Sequence, residues 1–226
     1  MTTSEDNAKN YNLKYKDLNY FRYSERIYTP YISSLIKSCG LERGSSVLDI
    51  GCGQGFFSYL LSKYGMKVSG IDLSESGISA AKNVYGHLGL SFAVGDIETV
   101  SFPQQFDCIF VRSCSLYNND EFPRNDEVTA KLLKYLRPSG LFMFAYNSNF
   151  SSKQSKDWRY HSWSDLKCHF RKYPNAKFYF SIKIDTCVLR KYAFCWPMSR
   201  LNMFLSKAVG IGGDLICVFR KGEIGT

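Results

Sequence analysis

The chain has 226 residues, a net charge of +9, and 45% apolar against 22% charged residues. That length suits one domain and falls short of two full-sized ones, and the composition excludes intrinsic disorder. About 70% of the unfolded surface should be buried on folding, enough for a core without staples. No apolar run approaches the roughly 20 residues of a bilayer span, and the polar start MTTSEDNAKNYNLKYK is unlike a secretion signal. A membrane-spanning chain is therefore excluded and a cytoplasmic one expected.

The N-terminal stretch places Tyr20, Tyr23, Ile27, Tyr31 and Leu35 at helical spacing, with Pro30 expected to divide it into two short helices. Ser46–Ile50 is a short apolar run that ends at glycines and reads as a buried strand. A helix over Phe56–Tyr64 closed by Gly65 follows, then a strand over Lys67–Ile71 and a helix from about Ser74 to Tyr85, with Ser74 as its N-cap. Further strands are expected at Leu90–Val94, Phe106–Val111 and Leu141–Tyr146, with a helix over Glu127–Leu136 stopped by Pro138-Ser139-Gly140. Strands that alternate with helices call for a parallel sheet covered on both faces. The last third changes character: Lys177–Leu189 alternates like a long exposed strand, Met198–Val209 reads as a helix and Asp214–Phe219 as another strand.

The eight cysteines (Cys39, Cys52, Cys108, Cys114, Cys168, Cys187, Cys195 and Cys217) contain no CxxC pair and no zinc-finger spacing. Several lie in apolar runs, so reduced core thiols are expected, with no disulfide framework and no metal site.

Charge is unevenly placed. From Met1 to Asn149, 15 Lys and Arg balance 15 Asp and Glu; from Phe150 onward, 14 basic residues face 5 acidic ones. Arg171, Lys172, Lys177, Lys183, Arg190, Lys191, Arg200 and Lys207 stand there, several beside aromatic residues. Such interleaving suits an anionic partner, an RNA, a nucleotide or an acidic sugar; a solvated basic face over core aromatics is the plain alternative. No nucleic-acid motif accompanies it.

The chemistry concentrates after the first strand, in Asp49-Ile50-Gly51-Cys52-Gly53-Gln54-Gly55. In an open parallel sheet, ligands bind at the carboxyl ends of the strands beside the first one. Glycines there allow close backbone approach, and Asp72, about 20 residues on, ends the second strand where a carboxylate can accept from ribose hydroxyls. Phe56 stands where a dinucleotide fold needs a third glycine or alanine, which argues against NAD or FAD, and no GxxxxGK[ST] is present.

Four segments resemble, in order, the motifs of the class I S-adenosylmethionine-dependent methyltransferases. They are Val47-Leu48-Asp49-Ile50-Gly51-Cys52-Gly53-Gln54-Gly55, Gly70-Ile71-Asp72-Leu73-Ser74, Gly95-Asp96-Ile97 and Leu136-Arg137-Pro138-Ser139-Gly140-Leu141. The resemblance covers about Leu41 to Tyr146. It implies a Rossmann-like, doubly wound α/β fold: a mostly parallel seven-stranded sheet, helices on both faces and an antiparallel last strand. Residues 1–40 would then form a helical cap, 41–149 the cofactor-binding core, and 150–226 a basic part that completes the sheet and the acceptor side. The implied cofactor is S-adenosylmethionine, with S-adenosylhomocysteine as product. By the same resemblance Gly51 and Gly53 lie against its methionine part, with Cys52 between them as a small residue. Asp49 supports the loop and the amino group, Asp72 binds ribose, Leu73 and Ile97 sandwich adenine, and Asp96 holds the adenine amino group.

The implied reaction is in-line methyl displacement, for which holding both reactants matters more than a general base. On the acceptor side Arg112 would sit near the methionine moiety, with Tyr117, Tyr146 and Asn147 lining the substrate. His161 is the candidate base; His87 reads as a structural turn residue and His169 as surface or packed. Tyr11, Tyr15, Tyr20 and Tyr23 are placed to close over the sulfonium, their other reading being plain packing. The absence of Asn/Asp-Pro-Pro-Tyr/Phe after the fourth strand, and of a Pro-Cys pair, argues against the nucleobase methylation that those motifs serve. The expected acceptor is a small molecule methylated at O or N, with RNA or another polyanion, or a non-catalytic cofactor-binding module, as alternatives.

Overall fold

The computed structural model describes residues 3–120, 122–184 and 187–222, with Phe122, Cys187 and Val188 described in backbone only. Strands β1 (Ser46–Ile50), β2 (Lys67–Asp72), β3 (Ser91–Val94), β4 (Phe106–Arg112), β5 (Leu136–Asn147), β6 (Lys177–Ile182) and β7 (Gly213–Arg220) form one sheet in the order β3-β2-β1-β4-β5-β7-β6. β1 to β5 run parallel, and β7 is antiparallel to both β5 and β6. β1 therefore lies between β2 and β4, where the strand order reverses and a crevice must open.

Period-two alternation sorts the side chains into two layers. Val47, Cys108, Phe110, Met143, Ala145 and Ile216 pack against helices α2 (Glu25–Cys39), α3 (Phe56–Lys63) and α4 (Glu75–Tyr85), through Tyr31, Leu35, Leu60 and Ile78. Leu48, Ile50, Ile109, Val111, Phe142 and Phe144 pack against α5 (Phe122–Lys134) and α6 (Trp163–Phe170), through Val128, Leu132, Leu166 and Phe170. Buried on both faces, β4 reads as the continuous apolar run Cys108–Val111 rather than as an alternation. α1 (Ser4–Lys14), capped by Thr3 and Asp6, precedes this core; α7 (Cys187–Lys191) and α8 (Trp196–Val209) lie between β6 and β7 in the chain. On the edge strand β6, the Phe180 N–H donates to Ser199 Oγ of α8 (2.6 Å), so a helix satisfies part of the open edge.

Three expectations need correction. α2 runs through Pro30 without a break; the chain instead leaves the helix between α1 and α2. Losing one hydrogen bond at Pro30 costs about 3 kcal/mol, which the burial of Tyr31, Ile32, Leu35 and Ile36 outweighs. The expected exposed strand over Lys177–Leu189 ends at Ile182, and its residues from Tyr179 to Ile182 are buried. β5 begins at Leu136, so Pro138-Ser139-Gly140 lies inside a strand with Ser139 at φ 58°, and α5 ends at Lys134.

Candidate active site

At the carboxyl end of β1 the chain turns through Gly51 and Gly53, both in the left-handed region (φ 71° and 53°). A Cβ on Gly51 would lie 2.9 Å from Cys114 Sγ, and one on Gly53 would lie 2.7 Å from the Tyr15 hydroxyl. No other residue fits either place without displacing a wall. The loop is anchored on its neighbour strand, since the Gly51 and Cys52 N–H groups both donate to the Ile71 carbonyl (2.9 and 3.1 Å).

Asp72 closes the loop from the side. Its Oδ2 accepts from the Gly53 N–H and its Oδ1 from the Ser74 N–H, both at 2.8 Å. Burial pushes its carboxyl up, against those backbone donors. Asp49 lies behind the loop, 2% exposed, and accepts 2.5 Å from Ser58 Oγ of α3. Burial pushes it up to about 7; the Ser58 hydroxyl opposes that rise and nearby Asp72 adds to it. Asp96 follows β3, with Oδ1 accepting from the Glu98 N–H (2.8 Å) in a local turn.

These elements enclose a cavity of about 420 Å³. Gly51, Cys52, Gly53, Asp72, Leu73, Asp96, Ile97 and Arg112 all line it, so eight of the nine expected cofactor residues meet on one wall and Asp49 supports that wall from behind. Cys114, Ser115 and Leu116, after β4, form the opposite side. The N-terminal segment forms the roof. Tyr11, Tyr15 and Tyr23 line the cavity, whereas Tyr20 does not. Gln54 holds that roof down: its Nε2 donates to the Asp17 carbonyl (2.8 Å) and its Oε1 accepts from the Tyr20 N–H (3.1 Å). Asn12 of α1 reaches the start of α4, accepting from Ser74 Oγ (2.8 Å). Nothing local in the sequence marks Gln54 or Asn12 for this work.

The acceptor-side residues fall elsewhere. Tyr117 is buried, its hydroxyl hydrogen-bonded to Thr129 Oγ1 (2.8 Å) and its ring edge-on to Phe144. Tyr146 is stacked between Phe144 and Trp158 on the α5/α6 layer. Asn147 accepts from Lys183 Nζ (2.7 Å). His161 forms an isolated bridge with Ser148, places Nε2 3.0 Å from the Tyr117 carbonyl and packs on Tyr146; burial pulls its pKa down. None of the four lines the cavity. His169 is also interior, paired with Asp126 (2.8 Å).

Arg112 lines the cavity, yet its guanidinium is committed to protein partners. Nη2 pairs with Asp214 Oδ2 (2.8 Å), Nη1 donates to the Tyr23 hydroxyl (3.0 Å), and Cζ lies 4.5 Å from the Phe57 ring centroid. Its partner Asp214, on β7, is the site residue that the sequence least betrays, since it stands 102 positions away.

A family model described as a methyltransferase domain matches residues 41–183. The chain belongs to that methyltransferase family. Among curated proteins, a ubiquinone biosynthesis O-methyltransferase of Coxiella burnetii is 33% identical over 114 residues, covering 49% of this chain and 47% of its own length. A fatty-acid O-methyltransferase of Mycolicibacterium smegmatis is 34% identical over 105 residues, covering 45% and 36%. The chain thus spans less than half the length of these relatives. Among solved structures, the N-methyltransferase NodS of Bradyrhizobium japonicum in complex with S-adenosylhomocysteine superposes with TM-score 0.66 at 16% identity, covering 96% of this chain and 98% of NodS. That likeness is one of fold: the mostly parallel seven-stranded sheet with its antiparallel seventh strand is shared. No helix among the described residues is long and apolar enough to cross a membrane, and none of their His, Cys, Asp and Glu side chains form a group of three that could hold a metal.

Proposed function

We propose that this chain binds S-adenosylmethionine in the crevice and transfers its methyl group to an O or N atom of a small-molecule acceptor. The observation that carries the reading is the convergence of the glycine turn, Asp72 and Asp96 on one cavity at the strand-order reversal. The residues fit the cofactor. Gly51 and Gly53 bare the backbone, and each Asp72 oxygen, holding one backbone donor, keeps lone-pair capacity for a ribose hydroxyl. Leu73 and Ile97 offer apolar faces for adenine, and Asp96 an acceptor for its amino group. The O- and N-methyltransferase relatives support a small acceptor with an oxygen or nitrogen nucleophile.

When bound, the cofactor supplies a methyl group already activated on a sulfonium sulfur. What remains for the protein is to hold two reactants in near-attack geometry and keep water out. Tyr11, Tyr15 and Tyr23 roof the cavity with aromatic surface suited to a cation. No histidine lines it, so the reading assigns no general base and His161 a packing role.

Calorimetric titration with S-adenosylmethionine and S-adenosylhomocysteine tests the cofactor half, and transfer of labelled methyl to hydroxylated and amino small molecules tests the rest. Absence of cofactor binding overturns the reading. Binding with no transfer to any acceptor leaves a cofactor-binding module, and turnover that needs RNA and falls steeply with salt marks a polyanion enzyme.

A pH signature follows from Asp49. The cofactor is cationic, so it favours the ionised carboxylate, and burial holds the Asp49 pKa at about 7. Affinity for S-adenosylmethionine should therefore rise about tenfold from pH 6 to pH 7.5, and Asp49→Asn should flatten that rise. Titrations at four pH values decide it; an equal slope in the variant removes Asp49 from the cofactor's field.

A further inference from the structure

Beyond the cavity, the α2/α7 face of the sheet carries a row of buried polar groups with unusual bookkeeping. Asp214 on β7 lies opposite Ser181 on β6 in the register and opposite Asn147 on β5. Period-two alternation puts Ser181 and Asp214 on the same face as Tyr179 and Ile216, and Arg112 on β4 reaches across to the same carboxylate. Lys183, just past β6, brings Nζ to 3.9 Å from Asp214 Oδ1. Arg190 comes down from α7 with its Cζ 4.6 Å from the Tyr28 ring centroid, while Arg112 Cζ lies 5.4 Å from that same ring. One tyrosine thus touches both guanidiniums.

The charges do not balance. Among the described residues, Asp214 is the only carboxylate within ion-pair distance of Arg112 or Lys183, and no carboxylate is within that distance of Arg190. Arg190 is 3% exposed, and its Nε and Nη1 find no hydrogen-bond partner. Arg112 Nε, the Tyr31 hydroxyl and Ser181 Oγ are likewise buried without partners. Buried polar atoms are almost always satisfied, and a buried cation without a counter-charge is costly. Five such atoms can donate, three of them on guanidiniums and two on hydroxyls, against two unpartnered acceptors, Asp214 Oδ1 and Asn202 Oδ1. With three cations to one carboxylate, the cluster carries an excess of two positive charges. That excess of positive charge and donors suits an anion. Lys183, 41% exposed in its side chain and donating to Asn147 Oδ1 (2.7 Å), stands at the edge of the row, and burial together with the two guanidiniums lowers its pKa against the pull of Asp214.

We propose that Arg112, Lys183 and Arg190, with Tyr31 and Ser181, form an anion subsite for the acceptor, so that the molecule methylated carries a carboxylate or a phosphate. The inference rests on the methyltransferase reading, because Arg112 and Tyr23 belong to both places: they line the cofactor cavity and they bound the row. An acceptor anchored here by its anion would extend its nucleophile past Tyr23 toward the cavity, and the three cations would exclude acceptors that lack the charge.

The test uses inorganic phosphate and acetate as probes, each against chloride at the same ionic strength, with the thermal midpoint of the intact protein as readout. One of the two anions should raise the midpoint by about 3 °C at tenfold its dissociation constant, and which one does so separates a phosphate ester from a carboxylate acceptor. Arg190→Met should abolish that rise while leaving the midpoint in chloride unchanged or higher, because the variant removes a buried charge that has no carboxylate at ion-pair distance. A merely structural Arg190 would instead lower the midpoint in chloride. Lys183→Met, at a half-exposed position, should cut the anion affinity at least fivefold and decides the matter if Arg190→Met does not fold. No rise in the wild type, or a rise that persists in the variants, overturns the subsite. S-adenosylhomocysteine titrated in parallel keeps the readings apart: intact binding with no anion effect sinks only the subsite, whereas failed binding sinks the cofactor reading.

Discussion

Asp214→Ala should lower the unfolding free energy by about 3–5 kcal/mol, the range seen when one partner of a buried ion pair is removed. Asp214 is fully buried and faces Arg112 at 2.8 Å and Lys183 at 3.9 Å. Burial by itself would raise its pKa; Arg112, Lys183 and Arg190 outweigh that and hold the carboxyl below its ordinary range. Truncation leaves Arg112 with a desolvated charge and only the Tyr23 hydroxyl and aromatic faces to meet it. In a domain of this size the loss corresponds to a midpoint about 10 °C lower, read by chemical and thermal denaturation together. The sign of the pH dependence follows from the depressed pKa. The pair's contribution is complete above the unfolded carboxyl pKa, near 4, and disappears as pH falls through the lower folded value. The variant should therefore approach the wild type in acid. Equal stability at neutral pH would mean that the cations are already satisfied without Asp214, and would also undercut the anion subsite.

How much of this was legible beforehand divides along the chain by the range of the contacts involved. The cofactor wall is local in sequence: β1, its glycine turn, Asp72 and Asp96 all lie between residues 46 and 96, and the turn and both acids come at or just past the end of a strand that the sequence marks. Parallel pairing in register then brings Asp49 beside Gly70 and Asp72 beside Val94, so spacing alone assembles the wall. The acceptor side is built from contacts of long sequence separation, such as Arg112 with Asp214 and Lys183 with Asn147. Those depend on β7 inserting between β5 and β6, which no local pattern dictates.

Tyr146 and Tyr117 misled for a narrower reason. Both sit near strand ends, where substrate residues gather, but Tyr146 shares parity with Phe142 and Phe144 and must face α5 and α6 rather than α2. Parity was readable in LFMFAY; which face the acceptor uses was not. The basic third shows the same division. Its excess charge was plain in the composition, and seven of the eight basic residues named there are exposed, as a solvated basic face requires; of the eight only Arg190 is buried, against Tyr28.

Asp72→Ala should weaken S-adenosylmethionine binding by about 1–3 kcal/mol, roughly 5- to 150-fold, the cost of leaving buried donors unpaired. Two effects of the same sign combine. The ribose hydroxyls would lose their acceptor, and the Gly53 and Ser74 N–H groups that Asp72 now receives at 2.8 Å would lose theirs. The second effect loosens the glycine turn itself, so the loss should extend to S-adenosylhomocysteine, which shares the ribose. Asp72→Asn separates the contributions, because the amide oxygen can still accept one of the two backbone bonds but removes the charge. It should fall between wild type and Ala, with thermal stability nearer the wild type. The stability of the empty protein need not fall by as much, since burial already raises the Asp72 carboxyl and the alanine variant removes a desolvated charge. Calorimetric titration of the three proteins with both ligands at one pH settles the assignment. Unchanged affinity in Asp72→Ala would move the ribose away from β2, and with it every contact drawn from the strand-order reversal.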